Sequence, residues 1–344
     1  MISRKALPVR PPRNAVAVRP PRGPQRERHE PDYVLLLCVV ALAAVGILMV
    51  YSSSAINSLI QRDDPLAVVG PQATWAVLGV VAMLIVMRID YRYLRLVSVA
   101  GFGVAVVLLV VVLLPPIGPL RPLEVNGATR WLQIGPLPSL HPAEFAKLAL
   151  VVYLAHWLSR RGTQAGSLFH GLLPFLLITA PVLALVVAEP DLGTTGVLTL
   201  TAFTMFFVAG GSLLQLAMLV PAGVAAVALV VTQSAYQLAR VQAFLDPWAY
   251  QTTIGFHTVQ GLLALATGGL TGIGLGESRQ PGQVHLPAAQ NDFVFAVVGQ
   301  ELGLLGGLAV IGLYLLLAYR GVRIALGAPD TFGALLATGI TGWL

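Results

Sequence analysis

Apolar residues recur along this chain in long runs that polar segments separate. Eight runs have about the 20 residues that a helix needs to cross a hydrocarbon core about 30 Å thick. Because lipid offers no partner for backbone N–H and C=O groups, the pattern predicts eight transmembrane helices. A ninth run begins near residue 332 and ends with Leu344, which predicts only the start of a ninth helix. The eight runs lie at about 33–52, 69–88, 96–114, 142–158, 171–188, 194–210, 213–232 and 293–319.

The first 32 residues differ from the rest in composition. They are polar, rich in Pro and Arg, and contain no apolar stretch followed by a small-residue cleavage site, so they are not a cleaved signal peptide. Such a composition cannot offset the entropy of ordering, and residues 1–32 are predicted to be a disordered basic tail ahead of a transmembrane domain at 33–344. A nucleic-acid-binding arm is the alternative. Basic tails beside a membrane more often contact anionic lipid, so no nucleic-acid partner is predicted.

Lys and Arg in the short loops predict the orientation of the helices. Most of these cations fall on the side of the basic tail, which the positive-inside rule places in the cytoplasm. That side receives Arg88, Arg92, Arg95, Arg160, Arg161, Arg320 and Arg323, and the other side receives Arg62, Arg121, Arg130, Arg240 and Arg279. The N-terminus is therefore predicted to be cytoplasmic.

Two long segments then lie on the outer side, at about 115–141 and 233–292. Connections of this length are uncommon in compact proteins and are usually functional, so the chemistry is predicted to take place at the outer face. Apolar residues at helical spacing also predict a short helix in the second segment, lying in the interface. These residues are Val259, Leu262, Leu263 and Ala266.

The composition excludes several classes of protein. The chain is 56% hydrophobic and 10% charged, with a mean hydropathy of +0.80, whereas a soluble protein has about 25% charged residues. A cytosolic enzyme, a disordered protein and a secreted disulfide scaffold are therefore excluded, the last because Cys38 is the only cysteine. The chain is predicted to be an all-α polytopic membrane protein.

Charged residues beside or inside the apolar runs are candidate functional groups, since ionisable residues in a membrane are costly. Glu144 and Lys147 open the fourth run three residues apart, so they share a helix face. They form either a structural ion pair or a site in which Glu144 orients a cation toward an anionic substrate. Arg240 and Asp246 flank the start of the second long segment. They either pair at the surface, or Arg240 grips a phosphate.

Three acidic residues in the second half of the chain have different interpretations. Asp191 is placed to cap the sixth helix at its N-terminus. Asp292 lies where a polar loop becomes an apolar run, either as a helix cap or as a partly desolvated carboxylate that accepts a proton. Glu301 falls inside the eighth run and is interpreted as a group that locks helices together. Phosphate-binding loops, zinc motifs and nucleophile elbows are absent from the sequence, so an ATP-driven pump is not indicated.

Five motifs in this order resemble the SEDS family, which comprises FtsW, RodA and SpoVE. They are Asn126-Gly-Ala-Thr-Arg130-Trp131, His141-Pro-Ala-Glu144-Phe-Ala-Lys147, Pro190-Asp191-Leu-Gly-Thr194, Phe244-Leu-Asp246-Pro247-Trp248 and Asp292-Phe-Val-Phe-Ala. The resemblance extends from the first run to the end of the chain. A further stretch, Gly274-Leu-Gly276-Glu-Ser278-Arg279-Gln280, is closer to the FtsW pattern than to the RodA pattern.

The resemblance implies a peptidoglycan glycosyltransferase that polymerises lipid II at the outer face of the bacterial inner membrane during cell division. The implied partners are a class B penicillin-binding protein, which crosslinks the glycan, and other division proteins. Asp292 matches the proposed catalytic residue of the family and would act as the general base, while Glu144 and Lys147 would line the same cavity. The other substrate-binding candidates are Arg240, Arg130 and Trp131, and the supporting candidates are Asp191, Asp246 and Glu301.

The sequence identifies no definite cofactor for this chemistry. A divalent cation, Mg²⁺ or Mn²⁺, is an alternative source of positive charge at the diphosphate, although no ligand cluster in the sequence demonstrates one. Two other functions stay open: a transporter that moves lipid II across the bilayer, and a non-catalytic scaffold for division proteins. The sequence departs from the family motifs at Glu189, at 288–291 and at Gln300. The ten-helix architecture of the family leads us to expect a chain that is incomplete at its C-terminus.

Overall fold

The computed structural model describes residues 31–344, with the exception of 117, 126–127, 136–137, 234, 280–285 and 287–288. The predicted basic tail lies outside the described residues except at positions 31 and 32. From Tyr33 onward the described residues form one unit of α-helices with a single β-hairpin. In chain order the elements are α1 Tyr33–Arg62, α2 Val69–Val86, α3 Leu94–Val112, β1 Leu120–Val125, β2 Ala128–Ile134, α4 Pro142–Ser159, α5 Leu173–Ala188, α6 Leu192–Val208, α7 Leu213–Gln233, α8 Ala235–Leu245, α9 Phe256–Thr267, α10 Val294–Leu326 and α11 Thr331–Gly342.

Each apolar run of the sequence is observed as a helix. The helices α1 to α7 and α10 cover the eight predicted runs, and α11 covers the start of the ninth. Within the described part of the chain, six helices are long and apolar enough to cross a membrane, namely α1, α2, α3, α5, α7 and α10. The chain is therefore a multi-pass membrane protein. The count of eight crossings, which needs α4 and α6 as well, stays a prediction.

The helices α4 and α6 differ from the six because α4 is more polar and α6 is shorter. α4 packs against α3, α6 and α11, and more than half of its residues are buried, including Leu150 and Leu154. Glu144, Lys147 and His156 make α4 more polar than its neighbours, and α6 has only 17 residues. Protein atoms surround much of α4, so Lys147 and His156 are partly buried there, while Glu144 is exposed.

The segment between α3 and α4 contains a β-hairpin that the sequence analysis missed. Strands β1 and β2 are antiparallel, with Leu123 opposite Trp131. Leu132 is fully buried and exchanges backbone hydrogen bonds of 2.8 and 2.9 Å with Leu140. The prediction of an all-α fold is therefore wrong for this segment. The strands have only 6 and 7 residues, so their alternation is weak. The Asn-Gly pair at 126–127 is nevertheless typical of tight hairpins and was the available signal.

The segment 233–292 also contains more regular structure than a loop. The short helix predicted from apolar spacing is confirmed as α9, which buries Val259, Gly261 and Ala264. A second helix, α8, begins at Ala235, soon after α7 ends at Gln233, and was missed. Its sequence is too polar to continue the apolar run, and such a change in composition is typical of a loop.

The helix α10 is interrupted at Gly303, where φ is 67° and ψ is −166°. An interruption leaves backbone groups without their helical partners, and such groups are costly where no water reaches them. The segment 268–276, which follows α9, packs against the interruption and supplies partners. The hydrogen bonds run from Ile273 N to Gln300 O at 3.0 Å, from Gly274 N to Glu301 O at 3.1 Å and from Leu304 N to Gly269 O at 2.9 Å.

We expect Gly272→Ala to lower the Tm more than Gly276→Ala. Both glycines have a positive φ, 83° and 81°, a conformation that costs an alanine about 1–2 kcal/mol. A Cβ at position 272 would also overlap the backbone oxygen of Glu301, whereas a Cβ at position 276 meets no atom within 4 Å. Both variants therefore carry the backbone strain of a positive φ, and only Gly272→Ala adds the overlap with Glu301 O. Equal Tm values in the same detergent would contradict the close packing of segment 268–276 against α10.

Candidate active site

A cavity of about 330 Å³ opens where β2, the turn between α5 and α6, and α8 meet. These three segments are far apart in sequence, and no motif spacing predicts that they share a cavity. Two of the predicted cations, Arg130 from β2 and Arg240 from α8, lie on its wall. The lining residues are Arg130, Pro190, Asp191, Leu192, Gly193, Gln237, Arg240, Val241 and Phe244.

Backbone carbonyl groups hold Arg130 in place. Its Nε donates to Glu189 O at 3.1 Å, and its Nη2 donates to Pro190 O. Neutral acceptors fix the plane of the guanidinium without cancelling its charge. Because the side chain is already ordered, it can stabilise an anion in the cavity without reorganising first.

Asp191 contributes the negative charge of this cavity, and other groups engage both of its oxygens. Oδ1 accepts from Thr194 N at 3.0 Å and Oδ2 from Thr194 Oγ1 at 2.8 Å, which caps the N-terminus of α6. His141 Nε2 lies 3.9 Å from Oδ2, and the Trp131 ring packs edge-on against the His141 ring with centroids 5.1 Å apart. Burial lowers the pKa of His141 despite the opposing effect of Asp191, so the imidazole is neutral at pH 7. The two arginines therefore dominate the charge of the lining.

The structure adds Glu189, which the sequence analysis treated only as a departure from a family motif. Its side chain is fully buried, and neither carboxyl oxygen has a hydrogen-bond partner. Burial, reinforced by nearby Asp191 and opposed by Arg130, raises the pKa of Glu189 to about 8. The group is therefore protonated at neutral pH and brings no negative charge to the cavity wall beside it. Its position between an apolar run and Pro190 was the signal that the sequence offered.

Glu144 and Lys147 lie close together but do not line this cavity. Lys147 Nζ is 2.7 Å from Glu144 Oε2, and the ammonium lies 6.0 Å from the centre of the Trp343 ring in the residue that follows α11. The Glu144 side chain is 60% exposed and that of Lys147 is 16% exposed. The cation is thus held between α4 and the end of α11, six residues along the chain from His141.

Asp292 is exposed in the turn of residues 289–293 that leads into α10. The residue at the cap position of α10 is Phe293, and no side chain caps the helix, so Asp292 does not have that role. The Phe293 ring stacks on His257 of α9 with centroids 5.9 Å apart, and Ala289 and Ala296 on either side are buried. A well-packed segment therefore holds the carboxylate at the surface. Asp292 is not among the residues that line the cavity.

Asp246 and Glu301 hold local structure together. Asp246 Oδ1 accepts from Ala249 N at 3.1 Å and closes a turn after α8. Glu301 is fully buried, and its carboxylate accepts from Ser52 Oγ of α1 at 2.7 and 2.6 Å and from Ser278 Oγ. It thereby joins α1, α10 and the turn at 277–279, an arrangement that agrees with a helix-locking role. Among the described residues, no group of three or more His, Cys, Asp or Glu is placed to hold a metal ion.

The fold and the site define a polytopic membrane protein with a cation-lined cavity at one end of its helix bundle. The chain belongs to the FtsW/RodA/SpoVE family, described as cell cycle proteins, which matches residues 32–344.

Individual relatives and solved structures agree with this family. The chain is 37% identical to stage V sporulation protein E of Bacillus subtilis, over 91% of this chain and 84% of that protein. It is 39% identical to a probable peptidoglycan glycosyltransferase FtsW of Trichlorobacter lovleyi, over 90% and 80%. A solved peptidoglycan synthase complex contains a chain with a TM-score of 0.68 and 28% identity, covering 91% of this chain and 83% of that one. The RodA structure from Thermus thermophilus has a TM-score of 0.61 and 26% identity, covering 91% and 81%.

We expect Glu189→Gln to remove a pH dependence of stability. The pKa of this carboxyl rises from 4.5 to about 8 on folding. Below pH 4.5 the group is protonated in both states and has no effect. Between pH 4.5 and 8 the unfolded chain releases a proton that the folded chain keeps, so the free energy of unfolding falls as the pH rises. The Tm advantage of Glu189→Gln over the parent should therefore grow from pH 5 to pH 8, and parallel Tm curves would contradict this interpretation.

Proposed function

We propose that this chain is a peptidoglycan glycosyltransferase that joins lipid II units into glycan strands during cell division. The observation that carries the proposal is the meeting of Arg130 and Arg240 at one cavity, because a sugar linked to a lipid diphosphate needs positive charge where that diphosphate departs. The similarity to proteins named peptidoglycan glycosyltransferase supports the same reaction. The protonated state of Glu189 supports it too, since a second carboxylate beside the cavity would repel the substrate.

The reaction is a single displacement at a sugar carbon. The 4-hydroxyl of the GlcNAc of one lipid II attacks C1 of the MurNAc at the end of the growing chain, and the lipid diphosphate leaves from that carbon. The hydroxyl is a poor nucleophile, and Asp292 accepts its proton as general base, an effect typically worth about 10²–10⁴ in rate. The diphosphate needs charge stabilisation and no general acid. In the complex with substrate, the carboxylate must lie within about 2.6–3.2 Å of the attacking hydroxyl.

Other side chains are assigned to binding. Lys147, oriented by its ion pair with Glu144, provides a further cation for the substrate. Trp131 is 38% exposed and offers a ring face to a sugar. Asp191, Asp246 and Glu301 support the site through the contacts that they make with the backbone and with other helices.

We place this chemistry at the outer face of the inner membrane, with the N-terminus cytoplasmic and with α4 and α6 as the fourth and sixth of eight crossings. The positive-inside rule supports this orientation, because the ends of α2 and α4 and the start of α3 carry Arg88, Arg92, Arg95, Arg160 and Arg161. The similarity to FtsW proteins supports a role in division. The similarity to a peptidoglycan synthase complex supports a class B penicillin-binding protein as partner, beside other division proteins.

We expect Asp292→Asn to abolish glycan polymerisation while membrane insertion and Tm stay those of the parent. The amide keeps the size of the side chain but cannot accept the proton, and the residue is exposed, so packing is not disturbed. The assay is polymer formation from lipid II by detergent-purified protein. Glu124→Gln, which removes an exposed carboxylate from β1, is the matched control and should be active.

Near-normal polymer from Asp292→Asn would refute the assignment of the base. The same assay separates polymerisation from transport, because detergent leaves no bilayer to cross. A parent protein that makes no polymer in detergent but moves lipid II in vesicles would replace the enzyme with the transporter.

We expect the two arginines of the cavity to respond differently to truncation. Arg240 is exposed on α8, so Arg240→Ala should lower activity about tenfold or more, the equivalent of one charged hydrogen bond, with little change in Tm. Arg130→Ala should lower activity and Tm together, because the carbonyls of Glu189 and Pro190 lose their donor. Arg121→Ala, which removes an exposed cation from β1, should change neither. An Arg240 variant with full activity would exclude this cavity from the reaction.

A further inference from the structure

A second cavity, of about 470 Å³, lies at the other end of α4 from His141 and Lys147. It is bounded by the first turns of α3, the last turns of α4 and the turn Gly162–Gly166 that follows. The 18 residues of α4 place about 27 Å of helix between its two ends. The proposed reaction makes no use of this second cavity.

Two guanidinium groups give this cavity its charge. Arg160 follows the last residue of α4, and Arg161 lies with Cζ 4.7 Å from the centre of the Trp157 ring, a contact that orders its side chain. In the described part of the chain, no Asp or Glu lines the cavity. The C-terminal end of α4 contributes about half a negative charge, which two full positive charges outweigh. The cavity therefore favours an anion.

One polar atom of the wall lacks a partner among the described residues. His156 Nδ1 is buried and has no hydrogen-bond partner. A buried nitrogen without a partner is uncommon in native proteins and often marks the place of a water or a ligand. The amide of Gln164 lies on the same wall and can donate or accept. An oxygen-rich anion would satisfy this amide together with the two arginines.

The cavity continues into an apolar surface. Val99 lines it from α3 and is 61% exposed, and Leu96, one turn earlier, is 79% exposed. Val107 and Val110 extend this exposed apolar face along the same helix. A ligand with a charged head and a long apolar tail would therefore fit the cavity and the α3 surface together. A small polar anion would use only the head site.

We propose that this cavity binds the phosphate of an anionic membrane phospholipid, with the acyl chains lying along the exposed face of α3. Arg160 and Arg161 hold the phosphate through charge-assisted hydrogen bonds, which are stronger than neutral ones. The tails account for the apolar continuation at Val99, which a free phosphate would leave unused. The site is separate from the proposed glycosyltransferase cavity, so neither assignment depends on the other.

The test compares lipids on the full chain after delipidation in detergent. Phosphatidylglycerol should raise the Tm and should be retained in native mass spectra, and phosphatidylcholine and inorganic phosphate at equal concentration should do much less. The double variant Arg160→Ala/Arg161→Ala should lose affinity for phosphatidylglycerol about tenfold or more, because two charge-assisted bonds disappear. The control Arg88→Ala/Arg323→Ala removes two exposed cations near the C-terminal ends of α2 and α10 and should keep the parent response.

Each outcome decides for or against the lipid. Equal lipid retention by the Ala double variant and the parent would overturn the proposal, and so would an equal loss in the control. A Tm increase by inorganic phosphate equal to that by phosphatidylglycerol would assign the site to free phosphate. If the Ala variant does not fold, Arg160→Lys/Arg161→Lys keeps the charge but loses the planar fork. That variant should bind phosphatidylglycerol more weakly than the parent, and unchanged binding would exclude the guanidinium contacts.

Discussion

The architecture depends on the backbone hydrogen bonds that join the segment 268–276 to the interruption of α10. Breaking a helix inside an apolar bundle exposes peptide groups whose desolvation costs several kcal/mol each when they stay unpaired. The protein satisfies them with another stretch of backbone, and only glycine at positions such as Gly272 lets two backbones approach so closely. The buried carboxylate of Glu301 then ties this contact to Ser52 of α1. The turn that carries Asp292 leads into the part of α10 that this contact holds in place.

Neutral groups, as well as ions, determine the net charge of the candidate active site. Backbone carbonyls order Arg130, the cap of α6 engages Asp191, and burial keeps Glu189 protonated. Two carboxyl groups therefore lie at or beside a cavity that still favours anions. The ion pair with Glu144 has a similar effect on Lys147. It stabilises the charge of an ammonium group that is largely buried. The fold brings Arg130 and Arg240 together from distant parts of the chain, and no basic sequence motif contains them both.

The sequence predicts the helices well because length and apolarity are the direct requirements of a bilayer. Most runs appear within a few residues of their expected bounds, whereas α1 and α10 extend further, to Arg62 and Leu326. It predicts α9 from spacing alone. The hairpin was missed because two short strands carry too little alternation, and α8 because polar residues in a helix look like a loop. Arg130, Asp191 and Arg240 are recognisable one by one, but their meeting depends on tertiary packing. The role of Glu189 follows from the burial of its side chain, which no local sequence pattern predicts.

The joint at Gly303 has a mechanical consequence for α10. Residues 304–326 alone are about 34 Å long, enough to cross a hydrocarbon core without the part before the joint. Bilayers of different thickness change the tilt of a crossing helix. The part that carries Phe293 and Asp292 packs against α9, and the segment 268–276 forms hydrogen bonds on both sides of the joint. The interruption therefore gives the part of α10 that leads from the proposed base its own supports, which a continuous rod would lack.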